Sequence, residues 1–593
     1  MDRVTVRNAR LVGAGGREVA LWGTNYYIAH GETYQRCAER GLDHKQEAAR
    51  DFAHLRRMGV ELIRLHLFED DFTTPEGDLI ANDHLEMLDY TLGLCAEHGM
   101  RFFLCPIAWW QGTRMLNARG GFRNLYSNPA LIFHERAIAA QTRYVRQLLA
   151  HRNPHRAGLT YAEDPLIAAV EIRNEPEYVD LWKLNLARGG FPPSDVKPQM
   201  RIHQEEGDYL YARWVRWCEA RGTRPDAANY RAFTRDVIAG YVSALSGAIR
   251  GSGYPGPVFY AYFGEWHIPD LAGLLATVPD YDGVTFNCYA KVTSESPALF
   301  VHNPILNVAE MDMSPLRQAL KDKPKAVYEC DSCCTSGVMF PAMALKMREA
   351  GAQMAAQWCY APLFKAADGA ISENGHYLNL VYTPADAVAF RIGREVFREQ
   401  PLYAGLGELA DDFLPGNNPY LWPKQRPPRL FLQDVIEVGH LTLLPRANTA
   451  VWRQDAIFFH SNTTTLALAD ARLPEHIVAS GSSPYVRVMD DAFYEIRVDR
   501  QHGTGRLFAA LAIVPIRDPR TTDAALKRRP AALVSATPRE FDLQGLRLRN
   551  LQVVPCGGGA ACAPIRPGEF RLPAGEYDLS FEPLGHAQAE GGR

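Results

Sequence analysis

Ile167-Ala168-Ala169-Val170-Glu171-Ile172-Arg173-Asn174-Glu175-Pro176 is the stretch on which the reading of this chain turns. It opens as a short apolar run, Ile167–Val170, of the kind that fills a strand buried on both faces, and it ends in Arg-Asn-Glu-Pro, which no buried strand continues. A strand that finishes on charged residues and a proline is the strand end of a βα unit, the place where parallel-sheet proteins keep their chemistry.

Seven further runs of the same kind surround it: Val19–Gly23, Leu62–His66, Phe102–Pro106, Val258–Tyr262, Val284–Asn287, Ala326–Tyr328 and Met354–Gln357. Each is followed by a helical pattern. In one, Asp43 is placed to cap a helix with Gln46 three residues on, Phe52 and Leu55 share a face, and Gly59 ends it. Eight such units predict an α/β chain folded as a closed (β/α)8 barrel over residues 1–397. The largest excess over the usual size of that fold is an insertion at about 178–227, after the fourth strand, expected to wall the active-site face.

Residues 398–430 are rich in Pro, Gly and Asn and read as a linker or extended wrap. From 431 to 593 the period becomes two: Ile496 and Val498 alternate with Glu495, Arg497 and Asp499, and apolar Phe570, Leu572, Tyr577, Leu579 and Phe581 flank a Pro573-Ala574-Gly575 turn. This predicts an antiparallel, sandwich-like accessory region of one or two modules. Of the ten tryptophans only Trp422 and Trp452 lie beyond residue 360, and only Trp452 within this region, so a packing role is expected rather than an aromatic sugar platform.

The formal charge of the 593 residues is −4 with both signs interspersed, which offers no basic stripe to nucleic acid or to an anionic membrane. The first residues lack the apolar core of a signal peptide, and no run approaches the roughly 18 to 20 apolar residues of a membrane span. Eleven cysteines is an odd number. Cys95, Cys105, Cys288 and Cys359 sit in apolar runs as free thiols, which leans towards a reducing, cytoplasmic setting, with a trimmed secretion signal left open. Cys556 and Cys562 bracket a glycine-rich loop that reads either as a small disulfide ring or as a plain turn.

Two carboxylates follow strands and share the C-terminal rim: Glu175 after the fourth and Glu329, in Tyr328-Glu329-Cys330, after the seventh. Glycoside cleavage needs such a pair, one carboxyl protonated to assist the leaving oxygen and one ionised to attack. Glu265, in Tyr262-Phe263-Gly264-Glu265-Trp266, is the rival for the second role. Trp109, Trp110 and Trp266 fall just beyond strand ends, where aromatic faces stack on sugars or simply pack. His66, Glu69, Asp70 and Asp71 cluster after strand two and read as a polar loop before a metal site. Cys330-Asp331-Ser332-Cys333-Cys334 lacks a second ligand pair, so no metal is expected. Without a Walker loop, dinucleotide motif or Gly-x-Ser-x-Gly elbow, no cofactor is expected either.

Asn174-Glu175-Pro176 with Glu329 resembles the clan A glycoside hydrolases, family 5 in particular, over about residues 20 to 395. His151 to Pro176 resembles the stretch before the acid/base in family 5 endo-β-mannanases, and Gly23-Thr24-Asn25-Tyr26-Tyr27 resembles those enzymes too, which brings Asn25 and Tyr27 into the site. The resemblance implies Glu175 as acid/base and Glu329 as nucleophile. It implies Arg64 near the nucleophile, Asn174 on the sugar 2-hydroxyl, Tyr289 orienting Glu329, and Trp358 as the platform under the sugar.

Three positions depart from the family: Cys105-Pro106-Ile107-Ala108-Trp109-Trp110 has no histidine, Asn287-Cys288-Tyr289 replaces His-x-Tyr, and Cys330-Asp331-Ser332 replaces glycine and an aromatic. A divergent subfamily or a neighbouring clan A family fits these departures. The implied activity is a retaining hydrolase of β-linked hexosides on an oligo- or polysaccharide, mannan or mannoside type first. β-Galactosidase, β-glucosidase and β-glucanase remain alternatives on the same scaffold, as does a sugar-binding barrel without catalysis.

Overall fold

The computed structural model describes residues 1–108, 121–189, 201–264, 268–289, 311–331, 339–367, 378–399 and 401–403, five short strands between 436 and 468, and then 475–482, 485–489, 492–511 and 538–584. Eight parallel strands close into a barrel: β1 (Leu21–Asn25), β2 (Leu62–His66), β3 (Arg101–Cys105), β4 (Ile167–Glu171), β5 (Val258–Ala261), β6 (Gly283–Tyr289), β7 (Lys325–Asp331) and β8 (Ala352–Gln357). β8 pairs with β1, Met354 opposite Leu21, so no sheet edge is left open. All eight predicted strands are present, with ends moved by at most three residues.

The helices that follow them in turn are α1 (His44–Arg57), α2 (Asp83–Glu97), α3 (Glu135–Ala150), α4 (Ala227–Gly251), α5 (Leu271–Thr277), α6 (Ser314–Arg317), α7 (Met339–Glu349) and α8 (Pro384–Glu399). The Asp43 carboxylate accepts from the Lys45 and Gln46 amides, Phe52 and Leu55 are buried, and Gly59 ends the helix at φ +78°. An extra helix, Gly31–Glu39, precedes α1 in the same βα loop. The segment after β4 contains helices Leu181–Arg188 and Gln204–Glu219, which pack on Tyr230 and Phe233 of α4 through Leu184, Leu210 and Trp214.

β1 and β2 approach so closely at Gly23 that a Cβ there would lie 1.8 Å from the Leu62 carbonyl oxygen. The N-terminal hairpin, Thr5–Arg7 with Arg10–Val12, sits under the barrel. Leu11 exchanges backbone bonds with the Gln353 side chain at 2.7 and 2.9 Å, and Val4, Leu11 and Val19 pack with Leu62, Phe103, Phe259 and Met354. The floor is therefore packed, and the strand ends with the two glutamates are left facing the other way.

The C-terminal strands form a six-stranded and a four-stranded antiparallel sheet sharing one core, in which Tyr494 and Leu507 of the first meet Phe541 and Phe570 of the second. The Pro573–Gly575 segment is not a hairpin turn. Glu569–Leu572 pairs in the four-stranded sheet and Gly575–Ser580 in the six-stranded one, so the chain crosses between sheets there. Both strands bury alternate residues in the common core, and period two is the same for either connection.

Arg57 of α1 ties these sheets to the barrel: it stacks over Phe508 at 3.8 Å and pairs with Glu495 at 3.5 Å and with Glu576. Cys95, Cys105 and Cys288 are buried free thiols and Cys359 is half-buried; Cys556 and Cys562 are both free, so their loop is a turn. No described helix is long and apolar enough to cross a membrane.

Candidate active site

Glu175 sits four residues beyond β4 and Glu329 within β7, both on the C-terminal rim. The backbone around Glu175 is specialised: the Asn174 amide donates to the Ile107 carbonyl at 2.9 Å, and Glu175 itself takes φ +41°. A side-chain-bearing residue adopts that left-handed conformation at a cost, which marks strain of the kind kept at functional positions.

The two carboxylates are buried, at 8% and 3% exposure, yet differently served. The Glu329 Oε2 accepts from the Tyr289 hydroxyl at 2.8 Å, and its Oε1 faces the Arg64 guanidinium at 3.6 Å and His66 at 3.7 Å. No cation is paired with Glu175, among the described residues, within ion-pair distance; its Oε1 accepts from the Tyr328 hydroxyl at 3.1 Å. Burial, and then the charge of Glu329, push the Glu175 carboxyl well above the usual range, against the pull of the Tyr328 hydrogen bond. One acid is thus kept protonated beside one held by a cation and a phenol.

Arg64 is the hub beneath them. It is fully buried and makes a 2.5 Å bond to Glu171 Oε2, with further bonds to Asn25 Oδ1 at 2.8 Å and Asn174 Oδ1 at 2.7 Å. Burial opposes its charge, but Glu171 and the other neighbouring groups, Glu329 among them, together outweigh that and keep it cationic. Thr285 donates to the other Glu171 oxygen. Asn25 anchors the corner by donating to the Tyr328 and Gln357 carbonyls at 3.0 and 3.1 Å. Among the described residues, none accepts a hydrogen bond from the buried Asn174 Nδ2.

Trp358, 9% exposed, follows β8, and its amide donates to the Cys330 carbonyl beside Glu329 at 2.8 Å. It stacks on His66 at 5.3 Å and meets Tyr27 edge-on at 5.1 Å, and the Tyr27 hydroxyl is 3.1 Å from the His66 ring. The Trp358–Cys359 peptide is cis. Burial and the neighbouring Arg64 charge push His66 well below its usual value, so the ring is neutral.

No family profile matches the sequence, and no curated protein matches it. Solved structures are similar in fold. The endo-1,4-beta-mannanase from Rhizomucor miehei has 14% identity and a TM-score of 0.46, over 67% of this chain and all (100%) of that one. The endo-beta-1,4-mannanase from Thermotoga petrophila has 14% identity and a TM-score of 0.43, over 83% and 95%. The exo-beta-1,4-mannosidase from Opitutaceae bacterium strain TAV5 has 16% identity and a TM-score of 0.43, over 66% and 62%.

Of the residues singled out from sequence, Glu175, Glu329, Arg64, Asn174, Tyr289, Asn25, Tyr27 and Trp358 converge on this rim. Asn287 lies in β6 opposite Glu329 in β7. Trp109, Trp110, Glu265 and Trp266 lie outside the described residues, as do Ser332 to Cys334. The loop after strand two is not an open acidic cluster. Glu69 pairs with Arg123 at 2.6 Å, and Asp71 accepts from the Gly31 amide at 3.1 Å.

Glu171, His66 and Tyr328 join the site without having been assigned to it. Glu171 was visible as a lone acid in a buried strand, which demands a buried cation, whereas nothing in the order of residues marks Tyr328. At the three divergent positions the thiols are buried packing groups, with Cys105 Sγ near the Ile107 carbonyl and Cys330 Sγ near that of Ala356, at 3.5 and 3.6 Å.

Proposed function

We propose that this protein is a retaining β-glycoside hydrolase in which Glu175 is the acid/base and Glu329 the nucleophile. What carries the reading is the unequal service of two buried rim carboxyls, one kept protonated by burial and its neighbour's charge, the other held by Arg64 and Tyr289.

Glu329 attacks the anomeric carbon while Glu175 gives its proton to the departing glycosidic oxygen. Bonding to the sugar removes the negative charge of Glu329, and with it one of the causes that raise Glu175. The newly formed Glu175 carboxylate then takes a proton from water, whose oxygen displaces Glu329 and restores both groups. The buried Nδ2 of Asn174, unpartnered among the described residues, is placed to donate to a sugar hydroxyl, and Trp358 supplies an apolar face at the rim.

A mannan or mannoside substrate is favoured by the stretch from His151 to Pro176. A panel of aryl β-glycosides and β-polysaccharides, run with Glu175→Ala and Glu329→Ala, tests the proposal, and the anomer first released reports retention. Oligosaccharide binding without cleavage by the wild type would make the chain a binding barrel instead. Loss of turnover in excess chelator would point to metal-dependent hydrolysis.

A further inference from the structure

Beside the rim, three side chains from two βα loops converge. His30 precedes helix Gly31–Glu39, Asp71 closes the short 3-10 turn Glu69–Asp71 after β2, and His84 stands in the first turn of α2. Their ligand-type atoms all lie within 4.8 Å of one another. His30 is fully buried, and among the described residues neither of its ring nitrogens has a hydrogen-bond partner; the Oδ1 of Asp71 is likewise buried without one. Buried polar atoms are normally satisfied, so orphaned ones on two residues of a His-Asp-His trio call for a missing partner.

The spacing suits an ion better than direct bonds. His30 Nδ1 is 3.5 Å and His84 Nδ1 3.9 Å from Asp71 Oδ2, both too long for a good hydrogen bond. Two ligands on a tetrahedral zinc, each about 2.0 to 2.1 Å from the metal, stand about 3.3 Å apart, so only a small closure brings the trio onto one ion. The two imidazole planes are within 4° of parallel, with centroids 6.1 Å apart. His84 Nδ1 is also 3.0 Å from the Ala29 carbonyl, so ion binding displaces the proton shared there.

We propose that His30, Asp71 and His84 form a binding site for one divalent transition-metal ion, zinc by its nitrogen and carboxylate donors, that clips the loop after β1 to the loop after β2. The clip is structural. His30 packs on Phe68 at 6.5 Å, and Phe68 in turn touches Tyr27 and His66 at 5.9 and 5.5 Å, so the ion braces the wall of the rim without reaching the two glutamates.

The test is zinc titration of the chelator-treated full chain, read by calorimetry, by bound metal after gel filtration and by the melting temperature. The variant His84→Gln changes the ligand that is partly exposed, and Asp71→Asn, nearly isosteric, is the second. The expected result is one equivalent bound by the wild type beyond what either variant holds, with affinity at least tenfold weaker in both variants. A melting rise of about 2 °C or more in excess zinc is expected in the wild type only. Zinc held by the Cys330–Cys334 thiols or by surface histidines is common to all three proteins and cancels. Equal stoichiometry and affinity in wild type and variants would overturn the site, and none of these readings depends on whether the protein cleaves glycosides.

Discussion

Two tyrosines serve two glutamates, and the proposed division of labour predicts that their hydroxyls are worth different amounts. Tyr289 donates to Glu329 at 2.8 Å and Tyr328 to Glu175 at 3.1 Å. A hydrogen bond to an ionised group contributes about 1.5 to 3 kcal/mol and one between neutral groups about 0.5 to 1.5. At 1.36 kcal/mol per factor of ten, Tyr289→Phe should lower kcat/KM by roughly 10- to 150-fold and Tyr328→Phe by roughly 2- to 12-fold. The pH profile separates them further. Glu175 acts while protonated, so activity falls as pH rises through its raised value. The Tyr328 hydroxyl favours the carboxylate form; removing it moves that alkaline limb to higher pH. The assay is kcat/KM against pH on an aryl β-mannoside, or on whichever glycoside the panel selects, with circular dichroism to confirm folding. Equal losses in the two variants, or an alkaline limb that moves to lower pH in Tyr328→Phe, would refute the assignment of protonated and ionised partners.

Glu175→Ala should lose about 10²- to 10⁴-fold on substrates with a poor leaving group and far less on an activated aryl glycoside, measured as the ratio of the two rates. Arg64→Met strands the buried Glu171 and should destabilise the barrel by about 3 to 5 kcal/mol, read by chemical denaturation. Gly23→Ala drives a Cβ towards the Leu62 carbonyl, 1.8 Å away; it should cost at least about 1 to 3 kcal/mol by overpacking, seen as a lower melting temperature. Burial would raise Glu495, but His476 and Arg497 outweigh it and hold the carboxyl at about 2. A depressed carboxylate stabilises above its unfolded value and loses that contribution as pH falls through the folded one. Wild type should therefore lose up to about 3 kcal/mol between pH 4.5 and 2, and Glu495→Gln should flatten that part of the stability profile.

The barrel was legible because each βα unit is local: a buried strand, a cap such as Asp43 and a terminating Gly59 follow one another within some forty residues, and eight repetitions leave one closed solution. The rim glutamates were legible for the same reason, since a strand end fixes which way its last residues face. What stayed hidden depends on closure. Arg64 was expected to serve Glu329, yet its shortest bond is to Glu171 at 2.5 Å, with Glu329 at 3.6 Å, because the inward alternation of β2 and β4 brings those two side chains together across the interior. Tyr328 precedes one glutamate and bonds the other, a contact made only when β7 faces the loop after β4 across the closed barrel. His66 was grouped with the acids that follow it, but the last residue of β2 turns inward to Tyr27 and Trp358, while Glu69 and Asp71 turn away. Positions along one strand are fixed by period two; partners across a barrel are fixed by strand tilt and register, which no single stretch of sequence carries.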